Sequence, residues 1–136
     1  MKLTIYTDGG ARGNPGPAAC AFVVLSGDTT VHEDAYYLGH QTNNFAEYKG
    51  VDYAMDWLKD YDKISEVDEI EFILDSQLVV NQLSGNYKVK SKNLIDLFLS
   101  IKNKEKTLGC RLKYTSVLRE KNKRADTLLN ELLNNQ

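Results

Sequence analysis

Four acidic residues stand where an acid is either costly or conspicuous. They are Asp8 at the end of "LTIYTD", Glu47 within "TNNFAEYKGVDYAMDWLKDY", Asp75 at the end of "EIEFILD" and Asp126 within "NKRADTLLNELL". Three of them have ordinary uses when taken singly. Asp8 precedes Gly9 and Gly10 and suits a turn residue that accepts a hydrogen bond from the backbone beyond it. Asp75 suits the cap of a following helix. Asp126 lies in the first turn of the last helix, where the dipole welcomes a negative charge, yet it shares a face with Leu129 and Leu133 and so turns toward the core; either use fits. Glu47 has no ordinary use. It lies on the stripe of Val51, Ala54 and Leu58, at i+4, i+7 and i+11, where an unpaired carboxylate costs several kcal/mol in desolvation. The nearby cation, Lys49, is on another face of the helix.

Gathered on one rim, four carboxylates repel one another unless cations sit among them. An all-oxygen cluster suits Mg²⁺ or Mn²⁺ better than zinc. Two such ions ~4 Å apart can activate a water and hold the leaving oxygen of a phosphodiester in line. The chemistry implied is metal-dependent phosphodiester hydrolysis.

The elements that must bring these acids together read plainly. Alternation in residues 3–8 predicts a strand, "PAACAFVVLSG" a second and "TTVHEDAYYLG" a third, with Ser26-Gly27-Asp28 as hairpin chemistry between the last two. A helix starts near Thr42 or Asn43. "EIEFILD" is a fourth strand, "SQLVVNQLSG" a short helix stopped by Gly85, "KNLIDLFLSIKNKEK" a helix, "RLKYTSVL" a fifth strand and "NKRADTLLNELL" a closing helix. Three hairpin-joined strands followed by alternating helices and strands predict an α/β domain, 1–136, with one mixed sheet and helices on its faces. Ligands of such sheets sit beyond the carboxyl ends of the strands, where Asp8 and Asp75 fall.

Composition sets the frame. The 136 residues are 42% hydrophobic and 26% charged, as in an ordinary globular protein. No apolar run approaches the ~20 residues of a membrane span, and Met1-Lys2 leads straight into a strand, so a cytoplasmic protein is expected. Cys20 and Cys110 have neither metal-ligand spacing nor a disulfide framework and read as buried free thiols. Net charge is −2, but residues 1–87 carry −9 and residues 88–136 carry +7. That asymmetry suggests either a basic face built from the C-terminal third or two simply solvated faces.

The blocks "YTDGGARGNPGPA", "TNNFAEY", "DSQLVVNQLSGNY" and "REKNKRADTLLNELL" resemble, in order and spacing, those of type 1 ribonucleases H, and the likeness spans essentially the whole chain. The resemblance implies a ribonuclease H-like fold with a five-stranded mixed sheet. It implies that Asp8, Glu47, Asp75 and Asp126 bind two Mg²⁺ ions, with Mn²⁺ as a substitute. It further implies hydrolysis of the RNA strand of an RNA–DNA hybrid, leaving 3′-hydroxyl and 5′-phosphate ends, by a protein with no demand for more than a monomer. On the same ground Gly9, Gly10 and Gly13 let the backbone approach a nucleic-acid strand. Asn14, Asn43 and Gln77 match positions touching sugars and base edges, where 2′-hydroxyls mark the strand to be cut. Asn14 and Thr42 match a pocket for a DNA phosphate, and Arg12 and Asn44 join the substrate contacts. The glycine-rich stretch lacks the Gly-Lys-Ser/Thr ending of a nucleotide P-loop.

Two departures stand out. Many members carry a histidine in the loop before the last helix, whereas "VLREKNKRAD" has none; the metals suffice, or Arg119, Glu120 or Lys121 takes part of that role. His32 and His40 match nothing catalytic and read as surface histidines. Many bacterial members also carry a basic helical extension, whereas this chain has only "GNYKVKSKN", so weaker substrate binding is expected. Lys88, Lys90 and Lys92, beside Tyr87, either supply phosphate contacts or belong to a solvated loop. Two other readings of the whole are a hybrid-binding module without catalysis and a broader nuclease that also cuts double-stranded RNA.

Overall fold

The computed structural model describes all 136 residues. Five strands form one sheet in the order β3-β2-β1-β4-β5: β1 (Lys2–Ala11), β2 (Gly16–Ser26), β3 (Thr29–Gln41), β4 (Glu69–Leu74) and β5 (Arg111–Ser116). The first three are antiparallel neighbours, with Gly27 and Asp28 as the hairpin turn between β2 and β3, while β4 and β5 are parallel to β1. Helices α1 (Asn43–Asp60), α2 (Gln77–Leu83), α3 (Lys92–Glu105) and α4 (Lys123–Asn134) fill the connections and the end of the chain.

Alternation along the strands sorts the core into two layers. Leu3 and Ile5 of β1 and Phe22 and Val24 of β2 point to one face, where they meet Tyr48, Val51, Ala54, Met55 and Leu58 of α1 and Leu94 and Ile101 of α3. The intervening β2 residues Ala19, Ala21 and Val23 point to the other face and meet Ala125, Leu129 and Leu133 of α4. Alanines on both sides of this second layer let α4 lie close against the sheet. Both faces of β1 and β2 are therefore covered, which is why "AACAFVVL" is continuously apolar rather than alternating.

Charge complementarity holds the outer elements. Asp52, buried on α1, pairs with Lys104 of α3 at 2.9 Å and accepts from Ser100 at 3.0 Å. Lys104 also reaches Asp56 at 2.8 Å, Arg124 of α4 reaches Glu33 of β3 at 2.5 Å, and Arg111 reaches Glu69 at 3.8 Å. These pairs join the acidic N-terminal portion to the basic C-terminal portion, so part of the asymmetry is neutralised within the molecule. Lys88, Lys90 and Lys92 stay exposed and make no ion pair. His32 stacks on Trp57 with centroids 5.3 Å apart, a packing role at the β3–α1 edge. Both cysteines are free; Cys20 is buried as expected, whereas Cys110, just before the edge strand β5, stays partly exposed. No helix is long and apolar enough to cross a membrane.

Candidate active site

The parallel pairing of β1 with β4 stops at Tyr6–Ile73, but the antiparallel pairing of β1 with β2 continues to Ala11–Ala18. The sheet therefore splits at its carboxyl end. Asp8 stands on one lip of the split, inside β1 rather than at its end as the sequence suggested, because the hairpin register carries the strand on through Gly9 and Gly10. Asp75, one residue past β4, stands on the other lip. Capping of α2 falls to Ser76, whose hydroxyl accepts from the Val79 amide at 3.2 Å, so Asp75 is released from the capping role open to it.

Glu47 reaches this split from α1. Thr42 caps the helix by accepting from the Phe45 amide at 3.2 Å, and the stripe of Val51, Ala54 and Leu58 seats it on the core. The approach is very close. A Cβ on Gly9 would lie 2.2 Å from the Ala46 carbonyl carbon, and one on Gly50 would lie 3.2 Å from the Asp8 carbonyl oxygen. The bareness of Gly9 thus admits the helix, and Gly9 also lines the cleft where the resemblance expects a nucleic-acid strand. The Gly9 amide donates to Glu47 at 2.5 Å and to Asp8 at 2.9 Å, so one N–H holds both acids.

One carboxylate oxygen from each of Asp8, Glu47 and Asp75 lies within 4.8 Å of the other two. Asp8 and Glu47 are each only 5% exposed. Burial, then the charge of Asp75, pushes the Asp8 carboxyl up to about 7. Burial and then the neighbouring Asp8 push Glu47 well above the usual carboxylate range. Burial also raises Asp75, opposed chiefly by the Arg119 guanidinium. Desolvation and mutual repulsion disfavour the charged forms here. Glu47 Oε2 is buried with no hydrogen-bond partner, an acceptor left without a donor.

Asp126 lines the same cleft but stands outside that tight group, half-exposed, 3.8 Å from Arg119 and accepting from Asn130 at 3.2 Å. Its helix-mates Leu129 and Leu133 are buried, as the shared face implied. The cleft, of about 540 Å³, also takes Gly10, Arg12, Asn43 and Asn44 into its walls. Arg12 donates to Asn134 at 2.6 Å, tying the hairpin loop to the end of α4. Asn43 accepts from the Ala11 amide at 2.8 Å and Asn14 accepts from the Asn43 amide at 3.0 Å. Gly13, Asn14, Thr42 and Gln77 lie beyond the cleft walls; Lys88 and Lys90 flank a separate groove that shares Asn44 with the cleft.

Sequence reasoning passed over Asn122. It is 1% exposed, and its amide donates to the Thr7 carbonyl beside Asp8 at 2.8 Å. It also lowers the Asp75 carboxyl, while its own carbonyl accepts from the Asp126 amide at 3.3 Å. Asn122 thus bears on three acids, through its side-chain amide at Thr7 and Asp75 and through its backbone carbonyl at Asp126. The sequence signal was its place immediately before a helix, where asparagine is ordinarily read as a cap.

A model of the RNase H family matches residues 1–133. The chain is 38% identical over 135 residues to "Bifunctional protein Rv2228c" of Mycobacterium tuberculosis, covering 98% of this chain and 36% of that protein; it thus spans about a third of the length of that relative. It is 39% identical over 134 residues to Ribonuclease HI of Halobacterium salinarum, covering 97% of this chain and 64% of the relative. Among solved structures it is similar to LC11-RNase H1 in complex with RNA/DNA hybrid, with a TM-score of 0.92, 41% identity and coverage of 98% and 97%.

Proposed function

The chain belongs to the RNase H family, and on that premise we propose that it is an endoribonuclease hydrolysing the RNA strand of RNA–DNA hybrids with two Mg²⁺ ions. The observation that carries the proposal is the convergence of Asp8, Glu47 and Asp75 on one split in the sheet, with their charged forms disfavoured as the protein stands. The donor set fits the metal: all ligand atoms are hard oxygens, and the buried, unpartnered Glu47 Oε2 is an acceptor awaiting a cation. Asp8, Glu47 and Asp75 would hold it, with Asp126 completing the set from α4; Mn²⁺ is an acceptable substitute. Bound divalent ions supply Lewis-acid stabilisation of the phosphoryl charge and a nucleophilic water at neutral pH.

The rest of the work belongs to the chain. The Gly9 amide fixes the orientation of two carboxylates before substrate arrives. Asn43 and Asn44, at the start of α1, and Gly10 border the cleft where sugars and phosphates would lie. Water attacks phosphorus, the bond to the 3′-oxygen breaks, and the products carry 3′-hydroxyl and 5′-phosphate ends. A reducing, cytoplasmic setting is part of the proposal, supported by two free cysteines, as is a monomer.

The test compares labelled RNA–DNA hybrid, double-stranded RNA and double-stranded DNA, each with Mg²⁺, Mn²⁺ or excess EDTA. Cleavage of the hybrid's RNA strand that needs added metal and is lost in Asp75→Asn supports the proposal. Hybrid binding without cleavage under any metal marks a binding module instead, and equal cutting of double-stranded RNA marks a broader nuclease.

A further inference from the structure

We infer that Gln82 is a positioning residue for substrate affinity: its buried amide fastens the segment 86–91 to α1 so that Lys88 and Lys90 are presented together to nucleic-acid phosphates. The inference rests on the hybrid-binding reading above and assigns a role to a residue that reading does not use.

Gln82 lies on the inner side of α2 among Val79, Val80 and Leu83, at 7% exposure. A glutamine there is costly unless its amide is satisfied. Both ends of it are. The hydroxyl of Tyr48, itself fully buried, donates to Gln82 Oε1 at 2.5 Å, and Gln82 Nε2 donates to the Lys88 carbonyl at 3.3 Å. Tyr48 is the residue after Glu47 on α1, so the bridge runs from the helix carrying a catalytic acid to the lysine-bearing segment.

That segment has few other ties. Its start is fixed by the Asn86 and Tyr87 amides, which both donate to the Asn81 carbonyl. From Lys88 to Lys90 the one hydrogen bond is that accepted from Gln82. Val89 packs inward on the core, leaving Lys88 and Lys90 exposed on either side of it. Both line a groove of about 620 Å³, together with Asn44, Leu78, Gln82 and Tyr87. Asn44 belongs to the catalytic cleft as well, so groove and cleft share a wall. The chain has no basic insertion between α2 and α3, and two lysines on a free loop would sample many directions. Bridged to α1, they offer charge at one place at a lower entropic cost.

The test measures kcat and KM on a short hybrid across a salt series for wild type, Gln82→Leu, Tyr48→Phe, Lys88→Ala/Lys90→Ala and the triple variant. For Gln82→Leu the expected result is an unchanged kcat with KM raised about tenfold. The slope of log KM against log salt should fall by about one to two, the share of two phosphate contacts. Tyr48→Phe deletes a single oxygen, so the protein stays folded, and its KM should move in the same direction by less. The triple variant should equal the double, because the bridge acts only through the lysines. A Gln82→Leu protein with lower Tm but wild-type KM and salt slope, or losses that add in the triple, would overturn the inference. A wild type that neither binds nor cuts hybrid would overturn this and the ribonuclease reading together.

Discussion

Replacing Asp8 by asparagine in protein stripped of divalent ions should make the fold more stable while ending catalysis. The size follows from the site. Asp8 has its carboxyl raised from an ordinary 3.8 to about 7, first by burial and then by Asp75. A carboxyl whose folded pKa lies above its unfolded one binds its proton more tightly in the folded state. Stability is therefore greatest below the unfolded value, declines as pH climbs from about 4 to 7, and levels off above that. Each unit is worth about 1.36 kcal/mol, so the three-unit shift amounts to about 4 kcal/mol lost by pH 8. This is a ceiling, because Glu47 shares the titration and takes up part of the change. Asparagine keeps an oxygen for the Gly9 amide and carries no charge. We expect Asp8→Asn to gain about 2–4 kcal/mol over wild type at pH 8 in EDTA, roughly 10 °C in Tm, and no more than about 1 kcal/mol at pH 4.5. Denaturant titrations at the two pH values measure it. Added Mg²⁺ should stabilise the wild type and leave the variant nearly unmoved. A variant no more stable than wild type at pH 8, or a gap independent of pH, would refute the repulsive cluster on which the metal argument stands.

Other perturbations test the supports. Glu47→Gln should abolish metal-dependent cleavage with an unchanged far-UV circular dichroism spectrum, since it removes a ligand while keeping the side chain's shape and the oxygen that accepts from the Gly9 amide. Gly9→Ala places a methyl 2.2 Å from the Ala46 carbonyl carbon; α1 must shift, and we expect both a Tm drop and loss of cleavage, read by calorimetry and by gel assay. Asn122→Ala leaves the buried Thr7 carbonyl without its donor, at a cost of about 1–3 kcal/mol. It should also weaken Mg²⁺ binding measured by titration calorimetry, because Asp75 loses the neighbour that lowers its carboxyl.

Much of the fold was legible because its signals are local. Alternation in β1, the Gly27-Asp28 turn, the Thr42 cap and the stop at Gly85 depend on neighbours in the chain, and each element lies within a few residues of its expected place. Glu47 was legible for the opposite reason: it breaks the apolar stripe of its own helix. What stayed hidden depends on partners far away. That β1 runs past Asp8 follows from register with β2, and that Gly9 answers to Ala46 follows from a contact 37 positions along. Asn122 looked like a cap because its partners, Thr7 and Asp75, lie more than 40 residues distant. The charge asymmetry could be counted, but only the pairing of strands and helices shows which cations are spent on Asp52, Glu33 and Glu69 and which are left for a ligand.

Those pairings bear on how the molecule can be taken apart. Cut in the exposed stretch near Gly85, the chain would yield an N-terminal fragment near −9 and a C-terminal fragment near +7. Opposite charge draws such pieces together faster in dilute salt than in concentrated salt. Asp8 and Glu47 would travel on one piece with Asp75, and Asp126 on the other. Nuclease activity regained on mixing would then report reassembly directly, making the domain a two-part sensor whose halves find each other by electrostatics and signal by catalysis.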